Sequence, residues 1–327
     1  MSDDNSIQMD EILKSLFHLS KKPLIKLVNG LFDTNYSMEA NVELGNTDFT
    51  IPHLGFKYVM KRADCFFTLT DNDTRENFHL EFQLKNDKTM ALRMYEYAFL
   101  KTASNAYFHS DTDKIVFPKQ LVIFVEENKN IKDNLCLDIE IDGKHTKYDV
   151  PTYKVWNDDI SSLLSKRMYS LFPLIPFSFR KEMDKISNDL DKLTEKTQEL
   201  MNRYFEVARH LSDFYDQGEI TLDDLEKMYN ALNHITKHIF EKYGVIDIIN
   251  KEVDKMVSTL WDPKRELKAR LDGYRKLIII YLSKKENNLN VESIETKLNN
   301  INNEQKLIDL VEISAQTKDV EDFLNYI

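Results

Sequence analysis

The chain has 327 residues, of which 42% are hydrophobic and 30% charged, and this composition excludes an intrinsically disordered protein. Its net charge of -11 excludes a protein that binds nucleic acid through its whole surface, because such proteins are basic. The cysteines Cys65 and Cys136 provide neither a disulfide framework nor a four-cysteine zinc site.

The sequence shows no sign of a membrane protein or of a nucleotide-binding protein. The longest apolar run, Leu277 to Leu282, is too short to span a bilayer, and the N-terminal stretch is acidic and polar, the reverse of a secretory signal. No glycine-rich phosphate loop occurs, so we expect no nucleotide cofactor. We therefore predict a soluble, cytoplasmic protein that makes no membrane contact.

The first half of the chain alternates predicted helices and strands. Apolar spacing predicts helices over residues 9–32, with a break at Pro23, and over residues 88–108. Extended segments are predicted over residues 57–69, 77–84, 120–125, 135–141 and 148–156, the last as an edge strand. This order predicts an α/β domain over residues 1–178.

From residue 179 onward the pattern is almost purely helical. A long helix is predicted from Leu190, a stop at Asp216-Gln217-Gly218, and a new helix capped at Thr221. Residues 179–327 therefore form a predicted α-helical extension for dimerisation or partner binding. The basic stretch from Pro263 to Lys285 could lie along a DNA backbone, or it could be a solvated helix face paired with acids.

One predicted strand carries the residues most suited to chemistry. In residues 77–84 the apolar side chains fall on one face, and His79, Glu81 and Gln83 fall on the other. Asp64, on the preceding predicted strand, could approach Glu81 within about 5 Å, where two carboxylates repel by roughly 3 kcal/mol. A bound Mg²⁺ would convert that repulsion into a binding site. The alternatives are a polar, solvated strand face and an ordinary polar role for His79.

The helix after this strand offers groups for a phosphate. Arg93 and Tyr97 are one helical turn apart, and a guanidinium there could hold phosphate oxygens. Gln83 could orient a water molecule or polarise the phosphate, through its dipole alone because it carries no charge. The alternative is that Arg93 pairs internally with Glu81 or Glu96 and that the tyrosine only packs.

Three motifs in order resemble a known nuclease family. An R-x-D stretch ends at Asp64, an H-x-E-x-Q strand spans residues 79–83, and an R-M-x-E-Y helix spans residues 93–97. These motifs are similar to those of the PD-(D/E)xK family of transposases and recombination-promoting nucleases. The segment Leu171–Phe177 resembles that family's L-x-P-F segment, and Val320–Phe323 resembles its C-terminus more weakly.

The resemblance implies a fold and an activity. The expected fold is a restriction-endonuclease-like mixed central sheet with flanking helices, followed by the α-helical extension. The expected activity is DNA cleavage that depends on Mg²⁺ or Mn²⁺, with Asp64 and Glu81 as metal ligands. Asp48 is the expected third acid, because Thr47-Asp48 stands where the family often has Thr-Glu. Cutting two strands would favour a homodimer.

Gln83 departs from the pattern of most such nucleases, which have a lysine at this position. The resemblance therefore leaves a second interpretation open. In it the chain keeps the nuclease fold but acts as a catalytically inactive module that binds DNA or another protein.

Overall fold

The helical pattern near the N-terminus forms two helices, α1 (Ser2–Ser15) and α2 (Lys21–Phe32). The computed structural model describes residues 2–53, 57–105, 115–243, 263–286 and 289–327. The break between the helices covers residues 16–20 and precedes the predicted one, because Pro23 lies in the first turn of α2. A proline is tolerated there since the first backbone N–H groups of a helix have no acceptor within it.

The strands lie in the first half of the chain, as predicted, and one helix interrupts them. The bounds are β1 (Asn41–Leu44), β2 (Asp48–His53), β3 (Lys57–Arg62), β4 (Cys65–Asp71), β5 (Thr74–Gln83), α3 (Met90–Asn105), β6 (Lys119–Phe124), β7 (Asn134–Ile141) and β8 (Lys144–Lys154). The predicted extended segment over residues 57–69 is thus two strands, β3 and β4, separated by Ala63 and Asp64.

Among the described residues, six of these strands form a mixed sheet in the order β1-β4-β5-β6-β8-β7, while β2 and β3 form a separate hairpin. Strands β1, β4 and β5 are antiparallel, and β6 then runs parallel to β5 after the α3 crossover. The prediction that residues 148–156 form an edge strand is wrong, because β8 lies between β6 and β7. Strand β7 takes the edge, pairs with β8 and is largely exposed.

Helices cover both faces of β5. On one face, Phe17, in the turn that follows α1, stacks on Phe82 with ring centroids 4.2 Å apart. On the other, Met90 and Met94 of α3 pack against Val122 and other buried side chains of the sheet. The polar side of β5 is therefore enclosed between the sheet and α3, and the expectation of a solvated strand face does not hold there.

Helices α4 (Ile160–Ser165), α5 (Phe177–Ile186), α6 (Leu190–Asp216) and α7 (Leu222–Tyr243) complete the first unit, Met1–Asp247. The predicted stop and cap are confirmed, since α6 ends at Asp216 and Asp224 N donates to Thr221 Oγ1 at 3.2 Å. This unit extends beyond the boundary expected at residue 178, because α7 packs against α1.

A buried carboxylate fastens α7 to the turn that precedes α2. Asp224 is fully buried, and it accepts hydrogen bonds from Ser20 N at 2.6 Å and Ser20 Oγ at 2.5 Å. Thr221 adds its backbone N–H and its hydroxyl, each at 2.8 Å. Four donors thus satisfy one carboxylate that burial would otherwise destabilise.

The second unit, Ile248–Ile327, contains α8 (Pro263–Ser283), α9 (Val291–Asn299), α10 (Glu304–Gln316) and α11 (Val320–Leu324). Two residues of the basic stretch from Pro263 to Lys285 donate hydrogen bonds to carbonyl groups at the ends of neighbouring helices. Arg275 donates to Leu298 O at 3.1 Å and to Ile301 O at 2.7 Å, and Lys285 donates to Ala315 O at 3.2 Å. These two cations therefore have structural partners. Within the described residues, no helix combines the length and the apolar character that crossing a membrane requires.

Replacing Asp224 by alanine should destabilise the first unit by about 3 kcal/mol, because the four donors of Ser20 and Thr221 lose their buried acceptor. Asp223→Ala is the matched control, since Asp223 is exposed and pairs with Lys227 across one helical turn at 2.6 Å. It should change the free energy of unfolding by less than about 1 kcal/mol. Urea unfolding monitored by circular dichroism measures both values, and equal effects of the two variants would contradict the structural role of Asp224.

Candidate metal centre

Asp64 and Glu81 face each other where the chain passes from β3 to β4. Asp64 lies in the two-residue break before β4, not on a strand as predicted. Its backbone N–H donates to Glu81 Oε1 at 2.9 Å, and the N–H of Phe82 donates to Asp64 Oδ2 at 2.8 Å. Each carboxylate thus accepts a main-chain hydrogen bond from the other's segment. We call these two residues the acidic pair.

The acidic pair is almost excluded from solvent, with 5% of Asp64 and 1% of Glu81 exposed. Burial, and secondly the charge of Glu81, raises the pKa of Asp64 to about 7 despite the opposing effects of Lys14 and the Phe82 N–H. Burial also raises the pKa of Glu81 to about 7, against the lowering effects of the Asp64 N–H and Arg93. The pair is therefore an electrostatically unfavourable arrangement that a bound cation would relieve.

A chain of hydrogen bonds fixes the orientation of Glu81. Gln120 Nε2 is 2.7 Å from His79 Nδ1, which makes Nδ1 the acceptor and leaves the proton on Nε2. That Nε2 donates to Glu81 Oε1 at 2.9 Å, and the Tyr148 hydroxyl donates to Gln120 Oε1. Burial lowers the pKa of His79 to about 3, so the ring is neutral. His79 therefore supports Glu81 from within the protein.

Arg93 approaches the same carboxylate from α3. One guanidinium nitrogen is 3.5 Å from Glu81 Oε2, and another is 3.3 Å from Asp87 Oδ2. The guanidinium carbon lies 5.9 Å from the centroid of the Tyr97 ring, and Tyr97 is 5% exposed. The structure thus brings both predicted phosphate-contact residues next to Glu81, where the arginine already has internal partners.

Lys14 of α1 is the residue that the sequence pattern did not reveal. Its Nζ is 3.2 Å from Asp64 Oδ1 and 2.7 Å from Asp10 Oδ2. Burial tends to lower the pKa of Lys14, but the carboxylates of Asp10 and Asp64 outweigh that effect and raise it. The spacing of Asp10 and Lys14 by four residues is visible in the sequence, but the packing of α1 beside Asp64 is not.

Gln83 and Asp48 stand in different relations to the acidic pair. Gln83 is the last residue of β5, is partly buried and shares the face of Glu81. Asp48 is exposed at the start of β2, opposite Arg62. Over the parts of the chain that the structure describes, no three histidine, cysteine, aspartate or glutamate side chains form a group that could hold a metal ion. Asp48 is therefore not grouped with the acidic pair.

Two carboxylates without a third acid fit Mg²⁺ better than zinc, because Mg²⁺ is usually held by one or two carboxylates together with water and substrate phosphates. The main-chain hydrogen bonds of the pair go to Asp64 Oδ2 and Glu81 Oε1. The other oxygen of each acid, Asp64 Oδ1 and Glu81 Oε2, faces a cationic side chain, at 3.2 and 3.5 Å. These separations exceed the roughly 2.7–2.9 Å of a strong charge-assisted hydrogen bond.

Comparison of the chain with models of protein families, with curated proteins and with solved structures finds no match. The resemblance to PD-(D/E)xK nucleases therefore remains a prediction that rests on the three motifs.

The raised pKa values predict how stability depends on pH. Unfolded aspartate and glutamate titrate near pH 4, so between about pH 4 and pH 7 the folded pair binds more protons than the unfolded chain. The pair's contribution to the free energy of unfolding should therefore fall as the pH rises through this window, and then level off. The slope is about 1.4 kcal/mol per pH unit for each additional proton.

The measurement is urea unfolding of the wild type and of an Asp64→Asn, Glu81→Gln variant at about pH 5 and about pH 7.5, without divalent ions. The difference between wild type and variant isolates the pair from all other titrating groups. A difference that is the same at both pH values would show that the acids are not perturbed in the folded protein.

Proposed function

We propose that this protein is a DNA endonuclease of the transposase and recombination-promoting type, which uses Mg²⁺ or Mn²⁺ to hydrolyse phosphodiester bonds at the acidic pair. The observation that carries this proposal is the reciprocal main-chain bonding of Asp64 and Glu81. It holds two buried carboxylates together and leaves one oxygen of each facing only a loosely paired cation. A purely structural pair of acids would gain nothing from such repulsion.

Hydrolysis requires a water oxygen to bond to phosphorus while the bond from phosphorus to the leaving sugar oxygen breaks and that oxygen takes up a proton. A divalent ion held by Asp64 and Glu81 would supply an activated water and offset the charge of the phosphate. Arg93 would donate hydrogen bonds to phosphate oxygens, and Tyr97 would support its guanidinium. The Gln83 amide, on the same face as Glu81, would position the water.

The mixed sheet with helices on both faces supports the restriction-endonuclease-like assignment, since the acidic pair lies where antiparallel β4 and β5 begin to pair and α3 leads to parallel β6. With a net charge of -11, contact with DNA has to be local, at this site and its surroundings. A homodimer would allow both strands of DNA to be cut.

A second function is supported by the charges already present. Lys14 and Arg93 provide two positive charges for the two acids, and no third acidic ligand is grouped with the pair in the described residues. A protein with such a site could retain the nuclease fold without catalytic activity and serve as a module that binds DNA or protein. Gln83 in place of a lysine agrees with this alternative.

Plasmid cleavage separates the two functions. Purified wild type with Mg²⁺ or Mn²⁺ should nick or linearise plasmid DNA, and the Asp64→Asn, Glu81→Gln variant should be slower by at least about 100-fold. The matched control is the Glu43→Gln, Asp73→Asn variant, which also removes two acidic charges. Glu43 is exposed on β1, and Asp73 is exposed in the turn between β4 and β5. The control should cut like the wild type, because neither residue belongs to the site.

Titration calorimetry with Mn²⁺ on the same proteins completes the test. Binding to the wild type and to the control, but not to the Asn/Gln variant, is expected. If plasmid stays intact with every protein and no Mn²⁺ binds to the acidic pair, the proposal fails and the binding module is favoured.

A further inference from the structure

The β5 strand leaves one electrostatic need of the proposed reaction unmet. As the phosphate reacts, negative charge grows on its oxygens, and a nearby cation stabilises that charge. Gln83 stands two residues after Glu81, on the same face, but its amide carries no charge. A positive group for this task has to come from another element of the fold.

Arg93 and Lys14 are the charged cations that the described residues show in contact with the acidic pair. Arg93 is engaged by two carboxylates, Glu81 and Asp87, on two guanidinium nitrogens. Its position behind Glu81 suits a group that holds the carboxylate and the phosphate in place. It is less suited to stabilising the negative charge that develops on the phosphate oxygens during the reaction.

Lys14 is placed differently. It reaches Asp64 from α1, on the side of the sheet where Phe17 stacks on Phe82, whereas Arg93 reaches Glu81 from α3 on the other side. Its side chain is 19% exposed, and its partner Asp10 is 52% exposed, so the ammonium lies at the border between the buried pair and solvent. An ammonium has three N–H donors, and two carboxylates use two of them.

The contact with Asp64 is the looser of the two that Lys14 makes. Its separation from Asp64 Oδ1 is 3.2 Å, against 2.7 Å from Asp10 Oδ2. Asp64 Oδ1 is also the oxygen that a divalent ion would use, because Oδ2 already accepts the Phe82 N–H. A metal ion and the Lys14 ammonium would therefore compete for the same oxygen, and the metal would release the ammonium toward an incoming phosphate.

We propose that Lys14 is the catalytic lysine of this site, contributed by helix α1, and that it donates to a phosphate oxygen in place of the cation that Gln83 does not provide. Lys14 lies between the carboxylates of Asp10 and Asp64 as an ammonium, so it acts as a positive charge and does not remove a proton. This inference rests on the proposed endonuclease function.

The test compares Lys14→Met with Lys14→Arg and with the double variant Lys14→Met, Gln83→Lys. Lys14→Met should cut plasmid about 100-fold more slowly than the wild type. Lys14→Arg, which keeps the charge, should recover part of the rate, and so should the double variant, which moves a charge to β5. Lys21→Met is the matched control, because Lys21 lies in the neighbouring helix and pairs loosely with Glu39, at 3.9 Å.

Mn²⁺ affinity, measured by calorimetry, is the readout that does not depend on activity. Lys14→Met should bind Mn²⁺ at least as tightly as the wild type, because a competing cation is gone. If Lys14→Met cleaves plasmid at the wild-type rate, the inference about Lys14 is overturned but the endonuclease function is not. The same holds if Lys14→Met loses Mn²⁺ binding and the double variant recovers no cleavage, because Lys14 would then have a structural role. An inactive wild type would overturn both the endonuclease function and this inference.

Discussion

The exchange of main-chain hydrogen bonds between Asp64 and Glu81 is the constraint on which the site depends. At the break between β3 and β4, each carboxylate takes a backbone N–H of the opposite segment, at 2.9 and 2.8 Å. The main chain therefore holds the two acids in place although burial and mutual repulsion both disfavour their charged forms. That effect is visible in the pKa values of both acids, which rise to about 7. Cations are needed around such a pair, and the fold supplies them from helices on both faces of the sheet.

The support behind Glu81 extends across three strands. Tyr148 of β8, Gln120 of β6 and His79 of β5 form a chain in which the role of each donor and acceptor is determined by its neighbour. Gln120 also donates to the carbonyl of Met94 in α3, at 2.9 Å. Because the Gln120 amide donates to Nδ1, the neutral imidazole, which stacks on Phe66, donates from Nε2 to the carboxylate. This arrangement keeps Glu81 an acceptor with one fixed oxygen and one oxygen directed at the cationic side of the site.

The parts of this site that were predictable from the sequence are those encoded locally. Alternation over residues 77–84 gives β5 and the common face of His79, Glu81 and Gln83, and helical spacing places Arg93 and Tyr97 on one face of the next helix. The remaining parts depend on which elements pack together, and no local pattern carries that information. The approach of Lys14 to Asp64 requires α1 to lie against β5. The position of β8 inside the sheet likewise follows from long-range pairing, because a hairpin pattern does not say which of its strands joins the sheet.

The distances between the acidic pair and its cationic neighbours help to distinguish an inactive site from one suited to a metal ion. A pair of acids neutralised for stability alone should bind its cations closely, as Lys14 binds Asp10 at 2.7 Å. The contacts of the same ammonium with Asp64 and of Arg93 with Glu81 are longer, at 3.2 and 3.5 Å. Two buried acids held together by the main chain therefore retain attraction for a further positive charge. A divalent ion carries twice the charge of an ammonium and accepts oxygen ligands from water and phosphate as well, which is why we propose one as the occupant of this site.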